Sequence, residues 1–311
     1  MKGGNKMAEE MRIVLRNMGK IDPLKIEDYL NAGGYKSLEK ARSMGQEALI
    51  EEVKKSGLRG RGGAGFNCGM KWSFSYKVQS EQKYVVCNAD EGEPGTYKDR
   101  TIMENDPQSL LEGMAICGYA IGSNKGYIYC RGEYPYVVEI LNKAIAQAKE
   151  KGVLGDFDIE VRMGAGAYVC GEESALIESI EGHRGEPRFK PPFPPVVGLW
   201  QKPTIVNNVE TFANIPVIIE KGADWYKSIG AEKYPGTKVL TLTGDVNNRT
   251  VFEVPTNTTI REVVYGLGGG IRNGKKFKAV QIGGTSGGFI AEAKLDTSID
   301  FDSMTAIGAV L

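Results

Sequence analysis

From residue 84 to residue 220, short apolar runs alternate with amphipathic helical stretches, and this alternation narrows the possible folds more than anything else in the chain. The run YVVC at 84–87 reads as a buried strand. An acidic turn follows, then a helix near 107–121, a strand at 127–130 and a helix over about 134–149. Residues 157–163 repeat the strand signal, and Gly164 and Gly166 lead into a helix near 172–180. A proline-rich passage, 187–203, holds the chain extended as a wrap or lid before a helix around 209–220. Strand–helix alternation of this kind predicts an α/β fold with a mainly parallel sheet and ligand groups at the strand ends.

The flanks read differently. Residues 37–56 predict one helix, with Ser37 as N-cap, Leu38, Ala41, Leu49 and Val53 on one stripe, and Gly57 as its stop. Beyond residue 231 the order is strand (238–243), strand (251–254), short helix (260–267) and strand (277–282), which suggests a small β-grasp unit. The expected division is therefore 1–230 for the α/β domain, with an N-terminal helical segment, and 231–311 for the second domain. Residues 306–311 read as a buried strand, an ending that suggests a truncated chain.

Composition excludes several function classes. Thirty-nine basic residues balance 39 acidic ones, so no global field gathers nucleic acid or an anionic membrane. No apolar run approaches the roughly 20 residues of a membrane span, and the polar residues 1–10 lack a signal-peptide core, so the expected location is cytoplasmic. Five dispersed cysteines contain no C-x-x-C pair, which leaves neither a zinc finger nor an iron-sulfur cluster encoded, and no metal is expected. The single histidine, His183, lies in a polar loop, which argues against histidine-based catalysis. Glycine is the excess: 41 of 311 residues, about 13% against a usual 7% or so.

Those glycines cluster where backbone can approach a bulky ligand. GLRGRGGAGF at 57–66 contains G-x-G-x-x-G, but it follows a charged helix and leads to Asn67, whereas a dinucleotide fingerprint follows a strand and opens a helix. A wrapping loop with an anion nest, helped by Arg59, Arg61 and Lys71, is the alternative to a plain glycine turn. Phe66, Trp72 and Phe74 suit stacking on a flat ring. NADEGEPG at 88–95 sets an amide and three carboxylates after a strand, fit for ribose hydroxyls or a flavin edge, for Mg²⁺ or Ca²⁺, or for a solvated turn. GAGAYVCGEES at 164–174 places two acids at a helix start, as capping groups or beside a planar ligand. KPPF at 190–193 adds a cation and a ring, and NNVET at 207–211 sets amides at a helix N-terminus, for phosphate or as an N-cap.

Taken in this order, GLRGRGGAGF, KWSF (71–74), NADEGEPGT (88–96), GAGAY (164–168), CGEE (170–173), KPPF and NNVET resemble the family of NADH-binding, FMN-containing subunits of respiratory complex I, together with the diaphorase subunits of hydrogenases. The resemblance runs from about residue 20 to the end. It implies a Rossmann-like FMN-binding domain of non-classical type followed by a small β-grasp (SLBB) domain. It further implies that Gly60, Arg61, Gly62, Lys71, Asn88, Asp90, Glu91, Gly171, Glu172, Val206, Asn207, Asn208 and Thr211 surround FMN. Phe66, Phe74 and Phe193 would hold adenine, with Glu93, Tyr168, Glu173 and Lys190 on the remaining polar groups of NADH. Glu173 near the adenosine ribose would disfavour NADPH. The implied chemistry is hydride transfer from NADH to FMN with no protein acid or base. Onward electrons would go to a thioredoxin-like [2Fe-2S] subunit and other iron-sulfur subunits, with no nucleic acid bound and no membrane insertion. A [4Fe-4S] cluster is expected in the full-length family but not in this chain. Asn67-Cys68 stands where the family has Pro-Thr, which puts local loop geometry in question. The competing reading is a fragment that binds nucleotide or docks subunits without turnover.

Overall fold

The computed structural model describes residues 9–309. Three helices open the chain, α1 (Ile26–Asn31), α2 (Lys36–Met44) and α3 (Gln46–Lys55), followed by α4 (Cys68–Lys77). The predicted helix over 37–56 is thus two helices, broken at Gly45 with φ +81°. Ser37 lies inside α2 instead of capping it, and its hydroxyl donates to the Pro216 carbonyl at 2.8 Å.

Next come β1 (Tyr84–Ala89), α5 (Lys98–Asn105), α6 (Pro107–Ile121), β2 (Lys125–Cys130), α7 (Pro135–Glu150), β3 (Asp158–Met163), α8 (Glu173–Ile180), β4 (Thr204–Asn208) and α9 (Val209–Lys221). The four strands form one parallel sheet in the order β3-β2-β1-β4. Alternation along the strands loads both faces. Val85, Cys87, Ala89, Ile128, Cys130 and Ile205 enter the main core, while Val86, Tyr127, Tyr129 and Val206 face a second cluster with Leu176, Ile177 and Leu199. Both β2 and β3 lie on one side of β1 and β4 on the other, so the chain reverses its direction of travel between β1 and β4. A crevice opens at the carboxyl ends of strands at such a reversal.

Helix α6 is almost wholly buried. It starts cleanly because Pro107 is at the first helical position and the Asp106 side chain accepts from Ser109 N at 3.1 Å. It crosses α9 at Gly113, where a Cβ would fall 2.1 Å from the Phe212 carbonyl oxygen. That carbonyl is four residues before Pro216, which has no N–H to donate to it.

Helix α10 (Ala223–Lys227) and two short strands, β5 (Gly230–Ala231) and β6 (Tyr234–Pro235), lead to the antiparallel pair β7 (Thr237–Leu242) and β8 (Thr250–Pro255). A π-helical segment, Glu262–Leu267, stands where the short helix was expected. Of the strand expected over 277–282 only β9 (Val280–Gln281) forms, paired with β10 (Phe289–Ile290). The strand expected over 306–311 is not one: Ala306 ends helix α11 (Phe301–Ala306), and residues 310 and 311 lie outside the described residues. This part has its own core, including Leu242, Phe252, Ile260, Leu295 and Met304. Val239 and Val251 instead join the main core. Among the described residues, no helix is long and apolar enough to cross a membrane.

Candidate functional site

The glycine loop is pinched shut at its base. Gly60 N donates to Phe66 O at 2.8 Å, Cys68 N donates to Leu58 O at 2.9 Å, and Asn67 then caps α4 by accepting from Met70 N at 2.9 Å. The loop follows a helix, as the sequence indicates, yet it does open one. Its tip rests on the start of α9: a Cβ on Gly62 would lie 3.0 Å from Asn208 Cβ, and Arg61 N donates to Thr211 Oγ1 at 2.9 Å. Among the described residues, the amides of Gly62, Gly63, Ala64, Gly65 and Phe66 donate to no other protein atom. Consecutive free amides of this kind make an anion-binding nest.

Asn88 and Asn208 are register partners on β1 and β4, so the ends of both strands sit beneath that tip. Asn88 Nδ2 donates to Gly171 O at 2.8 Å, and a Cβ on Gly171 would lie 3.8 Å from Asp90 Oδ2. Four segments far apart in sequence therefore converge at the carboxyl end of the sheet, around the hollow expected at a switch point: the loop at 60–66, the end of β1, residues 168–173 and the β4–α9 junction. Asp90 Oδ2 and Asn207 Oδ1 are buried there without a hydrogen-bond partner. Two orphaned acceptors beside a nest of free donors fit a polar-edged, phosphorylated ring system. Burial raises the Asp90 carboxyl to about 6, with Arg131 opposing the shift.

Around the rim, Lys71 Nζ donates to Val206 O at 2.8 Å and to Glu173 at 2.7 Å. Lys190 bridges Glu172 at 2.7 Å and Glu173 at 3.0 Å. Glu172 also caps α8 through Ser174 N and Ala175 N. Burial works against its charge, but Lys190, the Ser174 hydroxyl and the Ala175 amide outweigh it and hold the carboxyl at about 2. Phe66 and Phe74 are half exposed with ring centroids 6.3 Å apart. Phe193 is equally exposed but is not part of that pair. Tyr168 donates its hydroxyl to Glu93.

Three residues are placed otherwise than a ligand-facing reading assumes. The Arg61 guanidinium, 1% exposed, turns inward, donating to Pro235 O at 2.6 Å and Tyr226 OH at 3.1 Å and stacking 4.4 Å over the Tyr234 ring. It is unavailable to a phosphate. Glu91 accepts from Asp99 N at 2.8 Å and Arg100 N at 3.1 Å, so its carboxylate caps α5, and burial with the neighbouring Asp99 raises it to about 7. Asn208 accepts from Glu210 N at 2.9 Å and donates to Asp99 at 2.7 Å, which makes it an N-cap. Glu91 and Glu93 are thus held by different partners while Asp90 Oδ2 has none, and the divalent-cation reading loses its convergent oxygens.

Sequence reasoning did not find the buried ionic cluster beneath the loop. Lys98 Nζ lies 2.8 Å from Glu210 and 2.7 Å from Asp99, and Lys238 Nζ donates to Arg61 O at 2.8 Å. The only signals were Lys238 alternating within an apolar strand and Glu210 inside NNVET. A separate cleft of about 480 Å³, lined by Glu51, Lys54, Lys55, Lys227 and Lys233 among others, contains none of the hollow's residues.

An open parallel sheet whose switch point carries a nest, orphaned acceptors and exposed rings defines an α/β protein built to hold a nucleotide-like ligand. Residues 53–217 match the Nuo51 FMN-binding domain and residues 239–290 the SLBB domain. The chain belongs to the Nuo51 FMN-binding family. It is 52% identical to the NADP-reducing hydrogenase subunit HndC of Solidesulfovibrio fructosivorans, over 97% of this chain and 63% of that protein. It is 47% identical to an NADH-quinone oxidoreductase subunit of Rhizobium meliloti, over 96% of this chain and 73% of that one. The crystal structure of an air-oxidised NAD+-reducing [NiFe]-hydrogenase superposes with a TM-score of 0.81 and 36% identity, over 89% of this chain and 48% of that one. The chain thus spans roughly two thirds of the curated relatives and half of the hydrogenase chain.

Proposed function

We propose that the chain is an NADH dehydrogenase (diaphorase) module, in which NADH delivers a hydride to FMN held in the hollow and electrons pass singly to iron-sulfur clusters of partner subunits. The observation that carries this is Gly62 packed against Asn208 while Asn88, beside Asn208, reaches Gly171, so that four of the segments that carry the resemblance meet at one place. FMN, when bound, supplies the two-electron acceptor and one-electron donor that no side chain here provides.

The chain's own groups divide the work of binding. Amides 62–66 meet the flavin phosphate, while Asp90 and Asn207 accept from its polar edge or ribityl hydroxyls. Gly60, Gly171 and Val206 present backbone, and Lys71 holds Val206 O to α8. Arg61, Glu91, Asn208 and Thr211 shape the wall through their bonds to other protein groups. For the dinucleotide, Phe66 and Phe74 offer faces to adenine with Phe193 closing from the proline segment, and Tyr168, Glu93, Lys190 and Glu173 take hydroxyls and phosphates. The α/β unit ends near residue 230, and residues 231–311 form the SLBB unit. The partners in this reading are a thioredoxin-like [2Fe-2S] subunit and further iron-sulfur subunits, and the location is cytoplasmic.

Flavin absorbance in the purified chain, with NADH-dependent reduction of an artificial acceptor, tests the reading. Colourless protein that takes up no added FMN, yet still binds NADH, would leave only a nucleotide-docking role.

A further inference from the structure

The acidic turn after β1 is held from outside the parallel-sheet unit. Tyr97 N donates to Thr241 Oγ1 on β7 at 3.1 Å, and a Cβ on Gly95 would lie 3.5 Å from Thr243 Oγ1. Further along, Thr285 N donates to Glu93 Oε2 at 3.0 Å, while Tyr168 donates to Oε1 of the same carboxylate. The residue before that donor, Gly284, has φ +73°, and a Cβ there would fall 1.9 Å from Glu93 Oε2. Gly287 closes the same turn, since a Cβ on it would lie 1.8 Å from Ile282 O. Four of the seven residues from Ile282 to Gly288 are glycine, and three of those four are needed for close approach, since a Cβ on Gly288 would lie 2.6 Å from Gly308 O.

We infer that this turn of the SLBB unit is a positioning element for the dinucleotide: Gly284 brings the Thr285 amide onto Glu93 and thereby aims its carboxylate into the hollow. The inference rests on the reading that Glu93 contacts NADH. A half-exposed glutamate has three rotatable bonds and would otherwise sample several directions. Two neutral donors, one on each oxygen, fix one direction and leave the negative charge for the ligand's own donors. Ordering is completed before NADH arrives, so it is removed from the binding step. The SLBB unit accordingly contributes to nucleotide affinity without touching the flavin.

A double-mutant cycle on the FMN-loaded protein tests this, with KM for NADH, kcat and flavin content as readouts. Gly284→Ala should raise KM about tenfold, which is about 1.4 kcal/mol, with kcat and flavin content within about twofold, because hydride transfer itself is untouched. Glu93→Ala should raise KM as well, and Gly284→Ala added to it should change KM no further. An unchanged KM in Gly284→Ala, or a full additional increase in the double variant, overturns the inference. If Glu93→Ala alone leaves KM unchanged, the underlying role of Glu93 fails and the inference goes with it. Hydrogen exchange covers the case in which Gly284→Ala does not fold. The Thr285 amide should exchange faster in Glu93→Ala than in the parent protein, and equal rates would also overturn the proposal.

Discussion

Asp90 terminates the central strand with one oxygen buried and unpartnered, and burial raises its carboxyl to about 6. A group whose folded pKa exceeds its unfolded one contributes stability fully at low pH and loses it as pH climbs through the folded value. The ligand-free fold therefore loses that contribution above about pH 6. A donor on FMN reverses the preference by favouring the charged carboxylate. FMN affinity, measured by quenching of flavin fluorescence, should strengthen as pH rises through about 6, and Asp90→Asn should abolish the inflection. At the rim, Glu173 is clasped by Lys71 and Lys190, and Lys190 also pairs with Glu172, on the side proposed above for adenosine. Replacing Glu173 with Gln removes the repulsion of a 2′-phosphate and leaves two lysines facing it. The ratio of kcat/KM for NADPH over NADH should rise by about tenfold or more; an unchanged ratio would refute the role.

Among elements, the pair α6 and α9 sets the position of the β4–α9 junction. Helix α9 carries Asn208 as its cap and Thr211 in its first turn, and it reaches the sheet only because Gly113 admits the Phe212 carbonyl. Gly113→Ala should cost about 1–3 kcal/mol by overpacking. Urea midpoints would measure this, and a midpoint within error of the parent's would show that the helices separate freely. The elements missed from sequence fail for related reasons. Strand β4 is five residues between a proline passage and a helix, and it is a strand because β1 pairs with it. Helix α5 is strongly polar, and its first amides are capped by Glu91, a side chain from the preceding turn. The long helix that was expected breaks at Gly45, where a glycine with positive φ lets two short helices pack separately.

Across the whole molecule, Glu253 on β8 ties three parts together. Its carboxylate, fully buried, accepts from Ile13 N at 2.9 Å, Val14 N at 2.9 Å, Leu15 N at 2.8 Å and Thr237 Oγ1 at 2.5 Å. Burial outweighs these donors and raises the carboxyl to about 7. The stability linked to it is full below the ordinary value of 4.5 and declines as pH rises through about 7. Glu253→Gln turns an NH₂ toward amides and should lower stability by about 1–3 kcal/mol while flattening the pH dependence between 4.5 and about 7. Denaturant melts at a series of pH values would show both effects, and a parallel pH slope in the variant would exclude Glu253 as its source.

Local pattern alone determined the alternating strands and helices, the parallel sheet and the glycine-dense segments at its strand ends, because periodicity and turn chemistry act over a few residues. Only the tertiary structure decided that Arg61 turns away from the hollow, that Glu91 and Asn208 act as caps, and that a turn nearly 200 residues after Glu93 holds its carboxylate. Each of those outcomes depends on which donor or acceptor packing brings within 3 Å or so, and a chain read in order contains no such distance.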